Sequence, residues 1–330
     1  MEEFSFSTFM VATISFVFSL AAMNMIVRFG RNLGLLDQPN ERSAHATPVP
    51  RGGGLSFVIP TLATLLVVSI VSVPTLWWLW LALVGVAMTA LIDDLQGLPA
   101  RLKLILYAMS AVIAAYGLLA SSYEAFRVTY ASSWLQIGFL AFTLLWILNA
   151  LNFMDGMDAL VAVVAGIWLV DLIGWYADGP IQTVLIATLA ALSVFLYWNW
   201  QPAKAFMGDV GAVTLGLLLG YVAWDVTLTS SYPPAAGFAA SVPLVADASL
   251  TLVERILRGK RPFQAHRDHL YQRLFDANVN PQRILGGYAL ASIACVAAFR
   301  YVPTFGLFGV LVGLAVVCWI LMNHRVRSKV

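Results

Sequence analysis

Eleven long apolar segments constrain the fold of this chain more than any other feature. One membrane crossing by a helix needs roughly 20 mostly apolar residues. Segments close to that length cover residues 5–27, 53–73, 75–92, 103–120, 132–150, 159–177, 181–198, 211–229, 235–254, 284–299 and 304–323. Only 11% of the residues are charged, whereas a soluble domain has roughly 25%. We therefore predict an all-α, polytopic integral membrane protein with about eleven spans, or ten if 284–299 lies in the interface.

The spans are expected to form one domain. The interruptions between them are short except at 28–52 and 255–283, and no repeat or flexible linker separates two halves. The first segment is too long for a signal-peptide core, and Met1-Glu2-Glu3 lacks the basic start of such a peptide. We predict a single membrane domain over residues 1–330. Its functional loops are expected at about 28–52, 93–103, 149–158, 199–210 and 255–283.

The placement of basic residues predicts the orientation. Cytoplasmic loops of membrane proteins are enriched in Lys and Arg. If the N-terminus lies outside, Arg127 and Arg300 are the only ones of the 19 basic residues that face outward. We therefore predict an outer N-terminus, a cytoplasmic C-terminus and cytoplasmic loops that carry every chemically informative motif.

Five acidic residues stand where apolar segments end, at Asp93, Asp94, Asp155, Asp158 and Asp209. By this orientation all five lie on the cytoplasmic side. A carboxylate at the edge of hydrocarbon is costly, which makes it a functional-site hypothesis. Converging carboxylates are hard oxygen ligands that suit Mg²⁺, with Mn²⁺ as an alternative. A divalent cation and a phosphate-bearing substrate are therefore predicted.

Three segments hold these acids among other polar groups. Asp93 and Asp94 end a span, where negative charge opposes the helix dipole, although a solvated helix end remains an alternative. Asn152, Asp155 and Asp158 are spaced by three residues, so a helical turn would bring them to neighbouring positions; an Asn/Asp/Gly turn is the alternative. Asp209 enters a span between two glycines, and helix capping is its alternative role.

Further candidates surround these acids. Phe206 is a candidate for stacking on a nucleobase, or for simple packing. Gly52 to Gly54 precede a helix and are candidates for a phosphate cradle, although this signal is weak alone. The upstream residues Arg42, His45 and Arg51 are candidates for substrate contact or ordinary positive-inside charges. The cluster at 258–269 contains His266, Arg267 and His269, and would bind anionic lipid headgroups or a diphosphate.

Together, five ordered motifs resemble the polyprenyl-phosphate N-acetylhexosamine-1-phosphate transferase family, whose relatives include phospho-N-acetylmuramoyl-pentapeptide transferase. The matching stretches are DQPNERSAHATPVPRGGG at 37–54, LIDDLQGLPARLKL at 91–104, NALNFMDGMDAL at 149–160, NWQPAKAFMGDVGAVTLG at 199–216 and RGKRPFQAHRDHLYQRL at 258–274. Two positions depart from the family pattern, because Ala159 stands where a glycine is usual and Ala212 where a serine is common. The short form of the last motif favours hexosamine-phosphate transferases over the muramoyl-pentapeptide branch.

The resemblance implies an enzyme that transfers N-acetylhexosamine-1-phosphate from a UDP-sugar, UDP-N-acetylglucosamine or a related N-acetyl sugar, to undecaprenyl phosphate. It releases UMP and begins the synthesis of a cell-envelope glycan such as O-antigen. The catalytic residues would be Asp93 as proton acceptor, Asp94 and Asp209. The metal ligands would be Asp209, Asp94, Asn152 and Asp155. The substrate-binding residues would be Asn152, Asp155, Asp158, Asn199, Phe206, Arg42, His45, Thr47, His266, Arg267 and His269.

This assignment places the protein in the bacterial inner membrane with a cytoplasmic active site. Its partners would be polyprenyl phosphate, a UDP-N-acetyl sugar and the bilayer, without nucleic acid, and a homodimer stays open. The main alternative is a lipid or ion-coupled transporter, in which membrane carboxylates couple transport. Such a protein is expected to have acids near the bilayer midplane and related halves, whereas these acids cluster at one face.

Overall fold

A computed structural model describes residues 2–30, 36–37, 48–121, 133–176, 179–229, 236–261 and 266–301. Within these ranges the chain is almost entirely helical. The helices are α1 (Glu2–Phe29), α2 (Leu55–Val71), α3 (Trp77–Gln96), α4 (Ala100–Ser121), α5 (Ser133–Met154), α6 (Leu160–Ile173), α7 (Pro180–Asn199), α8 (Gly208–Thr229), α9 (Val242–Leu257), α10 (Leu270–Asp276) and α11 (Pro281–Tyr301). The all-α, polytopic fold class is therefore confirmed.

Short elements connect the helices. Strands β1 (Leu36–Asp37) and β2 (Val49–Pro50) pair antiparallel before α2. Single 3₁₀ segments, Pro74–Leu76 and Ala236–Ser241, lead directly into α3 and α9. These two segments lengthen the apolar rods that they precede.

The predicted spans can be compared with the helices one by one. Ten of the eleven predicted segments fall on helices α1 to α9 and α11, and the eleventh, 304–323, lies outside the described residues. Eight helical segments in the described ranges are long and apolar enough to cross a membrane. The two shorter ones are α2 with 17 residues and α6 with 14. At 1.5 Å per residue, α6 is only about 21 Å long, so it is shorter than the predicted span 159–177.

Helix α8 is the centre of the bundle. Every residue from Val210 to Ala223 is buried, and α8 contacts α2, α3, α4, α5 and α6. Outer helices instead expose large apolar side chains such as Phe9, Val67 and Phe142. Exposed apolar surface of this extent is expected where a helix faces lipid. The N-terminal residue pair Gly208-Asp209 is therefore held at the end of the most completely buried of the eight long apolar helices.

The entry of α2 lies unusually close to the first turn of α8. A Cβ atom on Gly54 would lie 2.5 Å from the Gly211 Cα. The backbone N–H groups of Gly53 and Gly54 donate hydrogen bonds to the carbonyls of Phe206 and Met207, both at 2.9 Å. Only residues without a side chain allow this approach of two backbones, so the glycines fix the position of the segment that carries Asp209.

We predict that Gly54→Ala destabilises the protein by about 1–3 kcal/mol, the usual cost of overpacking a filled interior. Thermal unfolding in mild detergent measures this effect. Gly166→Ala is the matched control, since a Cβ atom there would meet nothing within 4 Å. Equal unfolding midpoints for the two variants would contradict the role of this close approach.

Candidate active site

The ends of four helices meet on one side of the bundle. The end of α3 supplies Asp93, the first turn of α4 supplies Lys103, and the start of α8 supplies Asp209. The Lys103 Nζ atom donates to Asp93 Oδ2 at 2.6 Å and to Asp209 Oδ2 at 2.9 Å. From the end of α5, Asn152 Nδ2 approaches the same Asp209 oxygen at 3.3 Å. The structure therefore brings Asp93, Asp209 and Asn152 together around one ammonium group.

Lys103 lies within the 91–104 motif but is not among the residues predicted to form the site. In the structure it bridges two of the predicted catalytic carboxylates. A lysine at the start of an apolar helix, soon after a pair of aspartates ends the previous one, is the signal that identifies it. Its role is electrostatic, because an ammonium held between two carboxylates lowers their mutual repulsion.

Asp93 has both carboxylate oxygens engaged. Oδ2 accepts from Lys103, and Oδ1 accepts from the backbone N–H of Leu98 at 2.8 Å. Hydrogen bonds to the ionised form make a carboxylate a weaker base. The predicted role of Asp93 as proton acceptor stays a prediction, and the geometry favours a role in fixing Lys103.

Asp94 lies deeper than Asp93. Its side chain is 6% exposed, and the backbone N–H of Val210 is 3.5 Å from Oδ2. Arg51 donates to the main-chain carbonyl of Asp94 and not to its carboxylate. Asp94 is therefore a buried carboxylate beside Asp209 that is less neutralised than Asp93.

The loop between α5 and α6 carries the next two acids. Burial raises the pKa of Asp155 well above its usual range, and the charges of Asp209, Asp94 and Asp158 raise it further. Asp158 is used differently, because Oδ2 accepts the backbone N–H of Ala203 at 3.0 Å. Asp155 therefore belongs to the acidic cluster electrostatically, and Asp158 ties this loop to the segment before α8.

Asn199 makes a second hydrogen-bonded connection between the α5–α6 loop and the segment before α8. Its Oδ1 accepts from the backbone N–H of Ala159 at 2.9 Å, and its Nδ2 donates to the carbonyl of Ala205 at 2.9 Å. With both ends of the amide engaged, Asn199 supports the loops, and its predicted contact with substrate stays untested. Ala159 has a φ of 64°, a left-handed conformation that glycine adopts without strain. This backbone explains why the family pattern usually has glycine there.

The glycines before α2 do not form the predicted phosphate cradle. That prediction required backbone N–H groups free to bind an anion. In the structure the N–H groups of Gly53 and Gly54 already donate to protein carbonyls. The phosphate-cradle interpretation is therefore wrong for these two residues, which serve the close packing described above.

The basic loop at 266–269 contacts the loop between α5 and α6. His269 is 5% exposed and stacks on Phe153, with ring centroids 6.4 Å apart. Tyr271 Oη donates to the Phe153 carbonyl at 3.4 Å. The loop is anchored on α9, where Arg255 pairs with Asp268. The histidine motif is thus placed beside the Asn152–Asp158 loop.

Both histidines of this loop are expected to be neutral near pH 7. Burial lowers the pKa of His266 to about 4, helped by the charges of His269 and Arg255. Burial also lowers the pKa of His269. Arg267 pairs with Asp276 at 2.8 Å. An anion at this loop would therefore meet neutral imidazole hydrogen bonds, with positive charge supplied by arginine.

Four of the predicted substrate-binding residues remain, and the structure describes only one of them. Phe206 is half-buried, and its backbone N–H donates to the Pro50 carbonyl at 2.8 Å. Arg42, His45 and Thr47 lie outside the described residues. The predicted substrate roles of these four residues stay predictions.

The cluster suits a hard cation by its chemistry. Asp94, Asp155 and Asp209 provide oxygen donors of the type that Mg²⁺ prefers, and their mutual charge raises the pKa of Asp155. In the described part of the chain, no group of three or more His, Cys, Asp or Glu residues is already gathered at metal-binding spacing. The donor set fits Mg²⁺, although the carboxylates would have to move closer to share one ion.

Fold and site together define a helical membrane protein with an acidic, lysine-bridged site at one end of its bundle. Residues 76–227 match the family model of glycosyl transferase family 4. This range contains Asp93, Lys103 and Asp209 but not the histidine loop. This match covers a little under half of the chain and confirms the resemblance drawn from the five motifs.

Three relatives illustrate the similarity. A Bacillus subtilis protein named "Probable undecaprenyl-phosphate N-acetylglucosaminyl 1-phosphate transferase" is 26% identical over 281 residues, 79% of this chain and 76% of the relative. The decaprenyl-phosphate N-acetylglucosaminephosphotransferase of Mycobacterium leprae is 26% identical over 321 residues, 84% of this chain and 79% of the relative. The phospho-N-acetylmuramoyl-pentapeptide-transferase of Wolbachia pipientis is 29% identical over 234 residues, 65% of this chain and 71% of the relative.

We predict that Asn199→Ala lowers the free energy of unfolding by roughly 2–6 kcal/mol. The change leaves two buried backbone groups, the Ala159 N–H and the Ala205 carbonyl, without their partner, and each costs about 1–3 kcal/mol. Thermal unfolding in detergent gives the measurement. Asn149→Ala is the control, since Asn149 donates only to the Leu145 carbonyl of its own helix at 2.7 Å. Unfolding of Asn199→Ala at the wild-type temperature would contradict this role.

Proposed function

We propose that this protein transfers N-acetylhexosamine-1-phosphate from a UDP-sugar to polyprenyl phosphate. An oxygen of the lipid phosphate bonds to the phosphorus that carries the sugar, and the bond from this phosphorus to UMP breaks. The products are polyprenyl-diphosphate-sugar and UMP. Undecaprenyl phosphate is the proposed acceptor, and UDP-N-acetylglucosamine is the first donor to test.

One observation carries the proposal: Lys103 bridges Asp93 and Asp209 beside Asn152, at the ends of apolar helices. Bringing two anionic substrates together requires charge neutralisation and positioning more than covalent chemistry by the protein. A site of fixed carboxylates with a tethered ammonium suits that task. The names of the Bacillus subtilis and Mycobacterium leprae relatives describe the same transfer.

The proposed roles differ from residue to residue. Lys103 would attract phosphate oxygens, and Asp93 would hold the Lys103 side chain in place. Asn152 orients Asp209 through the hydrogen bond at 3.3 Å. Phe206 and the Asn152–Asp158 loop would contact the uridine. His266, Arg267 and His269 would bind the diphosphate or the sugar by hydrogen bonds.

Mg²⁺ is part of this proposal. The residues that would hold it are Asp209 and Asp94, with Asn152 and Asp155 completing the ligand set. When bound, the ion would neutralise the diphosphate and the developing charge on UMP. Mn²⁺ is an alternative ion of the same preference for oxygen ligands.

The proposed location is the bacterial inner membrane, with the site facing the cytoplasm. This location rests on the predicted topology, in which all basic residues except Arg127 and Arg300 lie on the side of the acids. Initiation of O-antigen or another envelope glycan, and a homodimer, stay predictions. The transporter alternative receives no support from the acids at the other end of the bundle, because Asp171 pairs with Arg300 at 2.8 Å and Asp225 accepts from Tyr176 at 2.7 Å.

The direct test is UMP release by purified protein in mixed micelles that contain undecaprenyl phosphate and Mg²⁺. The donors are UDP-N-acetylglucosamine, its galacto epimer, a 6-deoxy N-acetyl sugar and UDP-N-acetylmuramoyl-pentapeptide. We expect lipid-dependent UMP release with one of the simple N-acetyl sugars. Turnover of the muramoyl-pentapeptide donor alone would contradict the proposed donor class, and release with none of them would contradict the function.

We predict that Asp209→Asn lowers turnover by at least about 10²-fold, comparable to the loss of a group that stabilises transition-state charge. The fold should survive, as judged by thermal unfolding. Asp225→Asn is the matched control on the same helix, about 24 Å away along its axis. A chelator should abolish wild-type turnover, and added Mg²⁺ should restore it.

Retained turnover in Asp209→Asn would refute the role of this carboxylate. Full activity of the wild type in chelator would refute the Mg²⁺ proposal without touching the reaction itself.

A further inference from the structure

Asp247 is a buried acid that neither the motifs nor the proposed mechanism uses. It lies in α9 and is 2% exposed. Four donors surround its carboxylate. Oδ1 accepts from Leu270 N at 2.9 Å and from Thr251 Oγ1 at 3.1 Å. Oδ2 accepts from Tyr288 Oη at 2.6 Å and from Tyr271 N at 3.5 Å.

Two of these donors are the first N–H groups of α10. The first N–H groups of a helix have no partner inside that helix. A carboxylate there is favoured both by hydrogen bonding and by the helix dipole. A residue of the preceding membrane helix thus caps α10 from outside, and Tyr288 connects the same carboxylate to α11.

The capped residues contact the proposed active site. His269 immediately precedes α10 and stacks on Phe153 at 6.4 Å. Tyr271 Oη donates to the Phe153 carbonyl at 3.4 Å. This hydroxyl lies so close to Gly156 that a Cβ atom there would overlap it. The contacts therefore run from Asp247 through Tyr271 to the loop that carries Asp155.

We propose that Asp247 is a positioning residue for the donor side of the site. By binding the first N–H groups of α10, it holds His269 and Tyr271 against the Asn152–Asp158 loop. It touches no substrate in this account, which rests on the proposed function. Because the lipid phosphate would be met by Lys103 on another helix, Asp247 should affect the UDP-sugar and not the lipid.

The test compares steady-state kinetics of Asp247→Asn, Tyr271→Phe and the double variant with the wild type. The asparagine keeps the size of the side chain but loses one acceptor oxygen and the charge. We expect the KM for the UDP-sugar to rise by at least about tenfold, as when an outer partner of a ligating group is removed. The KM for undecaprenyl phosphate should stay unchanged, a split that general destabilisation would not produce.

The effects of the two single substitutions on the KM for the UDP-sugar should not be additive. If Asp247 acts through Tyr271, the double variant should have the donor KM of the more impaired single variant, because coupled residues on one path are non-additive. Asp225→Asn is the control, because it too removes a buried carboxylate that accepts a tyrosine hydroxyl. A donor KM of Asp247→Asn within twofold of wild type would overturn the inference, as would an equal rise in both KM values.

A readout without turnover separates this inference from the proposed function. If the wild type releases no UMP, the proposed function fails, and trypsin cleavage after Arg267 then judges the role of Asp247. Asp247→Asn should be cleaved faster there than the wild type and Asp225→Asn. Equal cleavage rates in all three proteins would overturn the positioning role.

Discussion

Carboxylates among apolar helices are costly unless they are hydrogen-bonded or paired, and this requirement accounts for the main polar contacts between the described helices. Removing an ionised carboxylate from water without a partner costs many kcal/mol. Lys103 forms ion pairs with Asp93 and Asp209, whose oxygens it contacts at 2.6 and 2.9 Å. Elsewhere, Arg300 pairs with Asp171 and the first turn of α10 pairs with Asp247. The arrangement of the helices follows from these pairings as well as from apolar packing.

The acids are not hydrogen-bonded to the same degree, and this difference supports the proposed place of the chemistry. Asp247 receives four hydrogen bonds, whereas Asp94 meets one long contact from Val210 and a neighbouring carboxylate. The pKa of Asp155 is raised by burial and by the charges of Asp209, Asp94 and Asp158. Carboxyl groups whose negative charge the protein does not compensate would gain most from the proposed cation. The same uncompensated charge would be costly in a protein that only needed stability.

The sequence was sufficient for the fold class and for the convergence of the acids, because helix periodicity and helix ends are local properties. It was insufficient for Lys103, whose two partners come from α3 and α8 and meet only through tertiary packing. Asn199 shows the same limit. Its motif suggests a ligand, but its amide binds the backbones of Ala159 and Ala205. The glycines before α2 were also misread, since their N–H groups meet carbonyls that no local pattern reveals.

The most direct test of the account is a double-mutant cycle on turnover with Asp93→Asn and Lys103→Met. Substitutions of two contacting residues change the free energy by less or more than the sum of the single changes, whereas substitutions of independent residues are additive. We expect the double variant to lose no more activity than the more impaired single variant, because Asp93 acts by holding Lys103. A double variant whose loss equals the product of the two single losses would contradict a lysine-bridged acidic site.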